Sequence, residues 1–186
     1  FDAPLQELTA VPGLGPRCAA LIRCVRAVAE RYRAECLQKK DLIRSSSEVV
    51  RYLEVSLRGR PYEVFRVIFL NHQLEILGEE DLARGTIDQS AVYPRNVFAA
   101  ALQRQASGLI LAHNHPDGPP APSEDDVRLT RQLYVAGRLL GIPVHEHVII
   151  GRDGHFSFRD AGYLSRFDEA YHAVRNPAAT ARERAR

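Results

Sequence analysis

His113-Asn-His-Pro-Asp-Gly-Pro-Pro-Ala-Pro-Ser-Glu-Asp-Asp126 is the stretch on which the reading of this chain turns. It follows Ser107-Gly-Leu-Ile-Leu-Ala112, an apolar run of strand type, and alternation along a strand points the imidazoles of His113 and His115 to the same side. After it, Val127, Leu129, Leu133, Val135, Ala136, Leu139 and Leu140 recur as they do on an amphipathic helix. The loop between carries four prolines and one glycine, which makes it stiff. Asp126, on the first turn of the helix and brought back over the strand end, completes a tripod with His113 and His115. Two neutral imidazoles and a carboxylate suit Zn²⁺, and three protein ligands leave the open position that marks a catalytic site. Zinc lowers the pKa of a bound water from roughly 15.7 to roughly 7. Ser123 also reads as a helix N-cap with Asp126 at N3, a variant of the capping box, and such capping would fix Asp126 in place.

The spacing His-x-His, seven residues, Ser, two residues, Asp is similar to that of the JAB/MPN (JAMM) metallopeptidases and is matched without a gap. The resemblance extends over nearly the whole chain. Tyr62-Glu-Val-Phe-Arg-Val-Ile-Phe-Leu-Asn71, Gly85-Thr-Ile87, Tyr93-Pro-Arg95, Leu111-Ala-His-Asn-His-Pro116 and His147-Val-Ile-Ile-Gly151 resemble the successive blocks of the bacterial RadC proteins. It implies a zinc-dependent hydrolase of amide bonds, acting on a peptide or protein substrate. RadC proteins also carry a DNA-repair label, which implies the alternative of a DNA-associated protein whose JAB/MPN domain serves as an interaction module.

The rest of the composition is that of an ordinary globular protein. The chain has 186 residues, 45% hydrophobic and 26% charged, enough for one well-buried core and a small appendage. A net charge of +2 points to neither a nucleic-acid binder nor an enzyme of acidic substrates. Lys39 and Lys40 are the only lysines, and the Arg excess reads as genome composition. No run approaches the roughly 18 apolar residues of a membrane span and no signal segment opens the chain, so a cytoplasmic protein is expected. Cys18, Cys24 and Cys36 lack Cys-x-x-Cys spacing and their odd count argues against a disulfide framework, so three reduced, partly buried thiols are expected. The absence of any methionine, an initiator included, is expected of a fragment or of a sequence shorn of its methionines.

The pattern divides the chain into a helical segment over 1–44, a larger domain over 45–175 and a frayed tail over 176–186. In the first, Leu5 to Leu8 reads as a short helix, and Val11-Pro-Gly-Leu-Gly-Pro16 as a turn opening a longer helix to Leu37. The turn resembles that of helix-hairpin-helix DNA-binding motifs. Gly13 and Gly15 would let the backbone approach a phosphate, with free N–H groups at the helix start to hold it. The competing reading is a plain helix-helix turn, with Cys18, Ala19, Leu21, Ile22, Val25 and Val28 packing its core. Gln38 to Ser47 is polar enough for a linker.

In the larger domain, the order read is a helix over 47–57 capped by Ser46 or Ser47, and strands over 63–70 and 74–82. A further stretch over 87–93, a Pro94-led helix to about Gln105, the strand carrying the histidines, a helix over 124–140, a strand over 144–150 and a hairpin to 155–158 follow. A last short helix covers 167–174. Alternating strands and helices predict an α/β fold, a mixed sheet packed with helices, preceded by the small helical segment.

By resemblance to the JAMM enzymes, a Glu from an earlier strand acts as base beside the metal, and Glu63 occupies the corresponding place. Glu75, Glu79 and Glu80 remain rivals by spacing. Glu63 would take a proton from the attacking water and return it to the leaving amine. Ser123 would donate to the oxyanion, in competition with its capping role. His147 reads as a group behind the metal ligands and His145 as a surface residue. The literal His-Asn-His of an HNH nuclease is set aside because those histidines lie far apart in a strand-strand-helix finger. A zinc deaminase is excluded because no Cys follows residue 36. Oligomeric state is not legible.

Overall fold

A computed structural model describes residues 4–38, 46–85 and 92–175. The linker over 39–45, most of the stretch over 87–93, the boundary at 44/45 and the tail over 176–186 lie outside the described residues, as does the Cys36 side chain. Two helices come first, α1 (Leu5–Ala10) and α2 (Pro16–Gln38), then α3 (Ser46–Leu57). Strands β1 (Val64–Leu70) and β2 (Ile76–Arg84) lead to α4 (Pro94–Gln103) and β3 (Gly108–Asn114). The chain closes with α5 (Glu124–Leu140), β4 (Val144–Gly151), β5 (Gly154–Ser157) and α6 (Tyr163–Arg175). The fold is α/β, with one mixed five-stranded sheet in the order β2-β1-β3-β4-β5.

Strand alternation sorts the apolar side chains into two cores. Phe65, Val67, Phe69, Leu109, Leu111 and Ile149 face α4, α5 and α6, while Val64, Ile68, Leu70, Ile110, Ala112, Val148 and Ile150 face α3. Both β1 and β3 are buried along their whole length, which explains their near-continuous hydrophobic sequence. Among the described residues the only parallel pair is β3 with β4, joined through α5, and every other pairing is antiparallel. The βαβ unit therefore brings the N-terminus of α5 to the carboxyl end of β3, the part of such a sheet where ligands are received.

Several sequence expectations shift by local geometry. β2 starts at Ile76 rather than 74 because Leu74 has φ +65°, outside the strand region, and donates its N–H to the Asn71 carbonyl in the turn. α6 begins at Tyr163, just after Gly162 in a left-handed conformation (φ +75°), and so is longer than the 167–174 expected. In α2, Ala19 is fully buried, but Cys18, Leu21, Val25 and Val28 are exposed, so the core-packing reading of that face is corrected. Cys18 and Cys24 are exposed thiols, not partly buried ones. Among the described residues, no helix is long and apolar enough to cross a membrane.

Candidate metal centre

His113 and His115 sit at the carboxyl end of β3, where strand alternation does point both rings to one side; their Nε2 atoms are 3.1 Å apart. Asp126 approaches from the first turn of α5, with Oδ1 3.1 Å from His113 Nε2 and Oδ2 3.5 Å from His115 Nε2. One ligand atom from each of the three residues lies within 4.8 Å of the others, a group that could hold a metal ion.

The loop that delivers Asp126 is pinned at its start and its middle. His115 N–H donates to the Ile150 carbonyl (2.8 Å) and Arg152 N–H to that of Gly118 (3.1 Å). Pro119 and Pro120 lie so close to β4 that a Cβ on Gly151 would come within 2.5 Å of the Pro120 nitrogen, so only glycine is accommodated there. Ser123 then caps α5 in a reciprocal capping box: Asp126 N–H donates to Ser123 Oγ (3.1 Å) and Ser123 N–H to Asp126 Oδ2 (2.8 Å). The single Ser123 hydroxyl proton also goes to Asp126 Oδ2 (2.6 Å). Donation to an oxyanion would require that hydroxyl to turn away from the carboxylate.

Hydrogen bonding decides the imidazole tautomers. Thr130 Oγ1 donates to the Asp126 carbonyl (2.5 Å) one helical turn back, so it accepts from His147 Nδ1 (2.7 Å). His147 Nε2 is then the acceptor for His113 Nδ1–H (2.9 Å), which leaves the His113 Nε2 lone pair facing His115 and Asp126. His115 Nδ1–H donates to the Pro119 carbonyl (3.0 Å), and its Nε2 is likewise turned inward. Two neutral Nε2 donors and a carboxylate are the donor set that suits a divalent ion of the zinc type, so the residues fit the metal.

The electrostatics tie the same residues together. Burial and the neighbouring His113 push the pKa of His147, which is fully enclosed, well below the ordinary value, so it stays neutral. Burial alone would raise Asp126, but the two imidazoles facing it, which hydrogen-bond its carboxylate when their Nε2 atoms carry protons, more than reverse this and hold its carboxyl far below the usual range. His115 is raised, first by the hydrogen bond that its Nε2 makes to Asp126 when protonated, with Glu63 among the lesser contributors, so a metal ion would compete with that proton for Nε2.

A family model described as the RadC-like JAB domain matches residues 43–163. A protein of Rhodobacter capsulatus, described as a UPF0758 protein, is 38% identical over 162 residues, which cover 87% of this chain and 76% of the relative. The chain belongs to the RadC family. Its JAB domain carries, at the end of β3 and the start of α5, the His-His-Asp group just described.

Beside that group the RadC-like fold forms a groove of about 630 Å³, which His115 lines together with Pro61, Tyr62, Glu63 and Ser123 among others. Glu63 lies one residue before β1, and its backbone is held on three sides. Asn114 Oδ1 accepts from Val64 N–H (2.9 Å), Asn114 Nδ2 donates to the Tyr62 carbonyl (3.1 Å), and Gly85 N–H donates to the Glu63 carbonyl (2.9 Å). The rival carboxylates lie elsewhere. Glu79 binds Tyr52 and Arg66 on the α3 side of the sheet (2.5 and 3.2 Å), and Glu80 pairs with Arg104 (2.7 Å). Glu75 bonds Asn71 in the turn at the far end of β1, about 20 Å along the strand.

Sequence reasoning placed His147 behind the ligands but missed Thr130 and Asn114. Thr130 reads as an ordinary buried helix position and Asn114 as the spacer of His-x-His, and only the fold reveals their partners. His145 is corrected: it is half-buried, not at the surface. Leu109 pairs with Val144 and Ile110 with Glu146, so His145 is a bulge residue without a ladder partner, and its ring fills the space left by Gly108. Gly13 (φ +86°) and Gly15 lie in the turn between α1 and α2, with open space where a Cβ would stand on either.

Proposed function

We propose that the chain is a zinc-dependent metallopeptidase or isopeptidase, hydrolysing an amide bond of a peptide or protein substrate. The observation that carries this reading is the pair of inward Nε2 atoms beside the Asp126 carboxylate, in a groove that Glu63 also lines. His113, His115 and Asp126 would hold the ion. Bound there, zinc would supply Lewis acidity and make water available as a nucleophile near neutral pH.

The remaining work falls to the chain's own groups. Glu63 accepts the proton of the attacking water at its carboxylate and returns it to the leaving amine, so that the amine departs neutral. Ser123 donates to the oxyanion after its hydroxyl leaves Asp126, a contribution of about 3 kcal/mol where such donors have been removed. His147 and Thr130 keep the Nδ1 proton of His113 in place and so keep its Nε2 free.

The test is metal content with activity. Mass spectrometry of purified protein supplied with zinc is expected to find about one ion per chain. Chelation is expected to stop cleavage in a mixed peptide pool, and zinc to restore it. Absence of bound metal after zinc is supplied would overturn the reading.

Thr130→Val is a near-isosteric change that leaves the His147 Nδ1–H buried without an acceptor. It is expected to weaken zinc affinity by about tenfold to a hundredfold, the range seen when groups behind metal ligands are removed. Competition with a chromogenic chelator measures it, and an affinity within twofold of wild type would remove Thr130 from the site.

A further inference from the structure

A second cavity, of about 290 Å³, adjoins the metal groove and is lined by Arg23, Arg26, Gly59, Arg60, Pro61 and Tyr62. Pro61 and Tyr62 belong to both, so the two depressions share a wall immediately before Glu63. Arg23 and Arg26 are three apart on α2 and therefore share a face. Arg26 Nη2 donates to the carbonyls of Arg58 (3.0 Å) and Val55 (3.5 Å), and Arg60 Nε to that of Ser56 (2.7 Å). These bonds satisfy carbonyls that the end of α3 leaves over, and they fasten two guanidinium groups in the cavity wall. Capping explains why Arg26 and the Arg60 Nε are held. It does not account for Arg23, or for the η-nitrogens of Arg60, which lines the same cavity.

We propose that this cavity is an anion subsite of the metal groove, binding an acidic side chain of the peptide substrate through Arg23 and Arg60. The proposal rests on the hydrolase reading for what occupies the groove. Arg60 and Glu63 are three positions apart, at most about 10 Å of extended chain, so the acidic residue lies within about three residues of the scissile amide. Guanidinium groups bind carboxylate through paired, charge-assisted hydrogen bonds. A cavity of this volume, walled partly by Leu5, Pro61 and Tyr62, fits one side chain rather than a nucleic-acid duplex.

Binding tests this without turnover. Fluorescence anisotropy of the Glu63→Gln protein, loaded with zinc, compares a labelled, end-blocked Gly-Ala peptide containing one Glu with its Gln twin. The Glu peptide is expected to bind at least about tenfold more tightly. That advantage is expected to disappear in Arg23→Gln, a change that removes no α3 cap, and in Arg60→Gln. Equal binding of the two peptides, an undiminished preference in Arg23→Gln, or displacement by duplex DNA better than by excess Glu peptide would each overturn the subsite. Failure of the wild-type protein to cleave any peptide counts against the hydrolase instead, and leaves the Glu preference to be read independently.

Discussion

Glu63→Gln is expected to lower kcat for peptide hydrolysis by about 10² to 10⁴ while the zinc content stays at about one per chain. The substitution preserves size and removes the carboxylate's charge, and with it the ability to accept and return a proton. Its backbone anchors do not involve the carboxylate: Asn114 holds the flanking Tyr62 carbonyl and Val64 N–H, and Gly85 N–H holds the Glu63 carbonyl. The variant therefore retains the groove and the three residues that would bind metal. Glu79→Gln is the matching control, because Glu79 bonds Tyr52 and Arg66 on the face of the sheet turned toward α3. Its kcat is expected to stay near wild type. Steady-state kinetics with metal analysis on the same preparations decides the matter, and full turnover in Glu63→Gln would remove Glu63 as the base.

Asp126→Ala is expected to lose both the metal and part of the fold's stability, for two separable reasons. The first is ligand loss: two imidazoles alone leave the ion with neutral donors and no charge compensation, and zinc content should fall below about a tenth of an ion per chain. The second is local. Asp126 Oδ2 accepts the Ser123 N–H and hydroxyl, so alanine opens the capping box at the start of α5, a change that costs about 0.5–2 kcal/mol. Asp126→Asn separates the two. An amide oxygen still accepts from Ser123 N–H, so thermal melting in chelator should place Asn above Ala, while mass spectrometry finds zinc binding weakened in both. Wild-type zinc content in Asp126→Ala would exclude the carboxylate from the site.

Much of this arrangement is written in short-range pattern. The continuous apolar runs before His113 and after Glu63 mark strands buried on both faces, and β1 and β3 are those strands. The apolar recurrence after Ser123, with Gly141 after Leu140, delimits α5 at both ends, because capping chemistry and helical period are local properties. Where local geometry departs from period, the reading slips. The left-handed backbone at Leu74 delays β2, and the bulge at His145 turns that ring aside, although period two pairs it with His147.

The sequence by itself determined the three residues that could hold a metal, since the strand period brings two histidines to one side and the capped helix turn presents the third. It also determined the α/β class, because the succession of runs admits little else. Only the tertiary structure decided which of four glutamates shares a groove with His115. Glu63, Glu75, Glu79 and Glu80 differ little in sequence context, and pairing register and sheet face separate them. It likewise decided the imidazole tautomers, through a chain from His113 to His147 to Thr130 that joins residues 34 and 17 positions apart. Such contacts depend on how β3, β4 and α5 pack together, a long-range arrangement that no periodicity along the chain encodes.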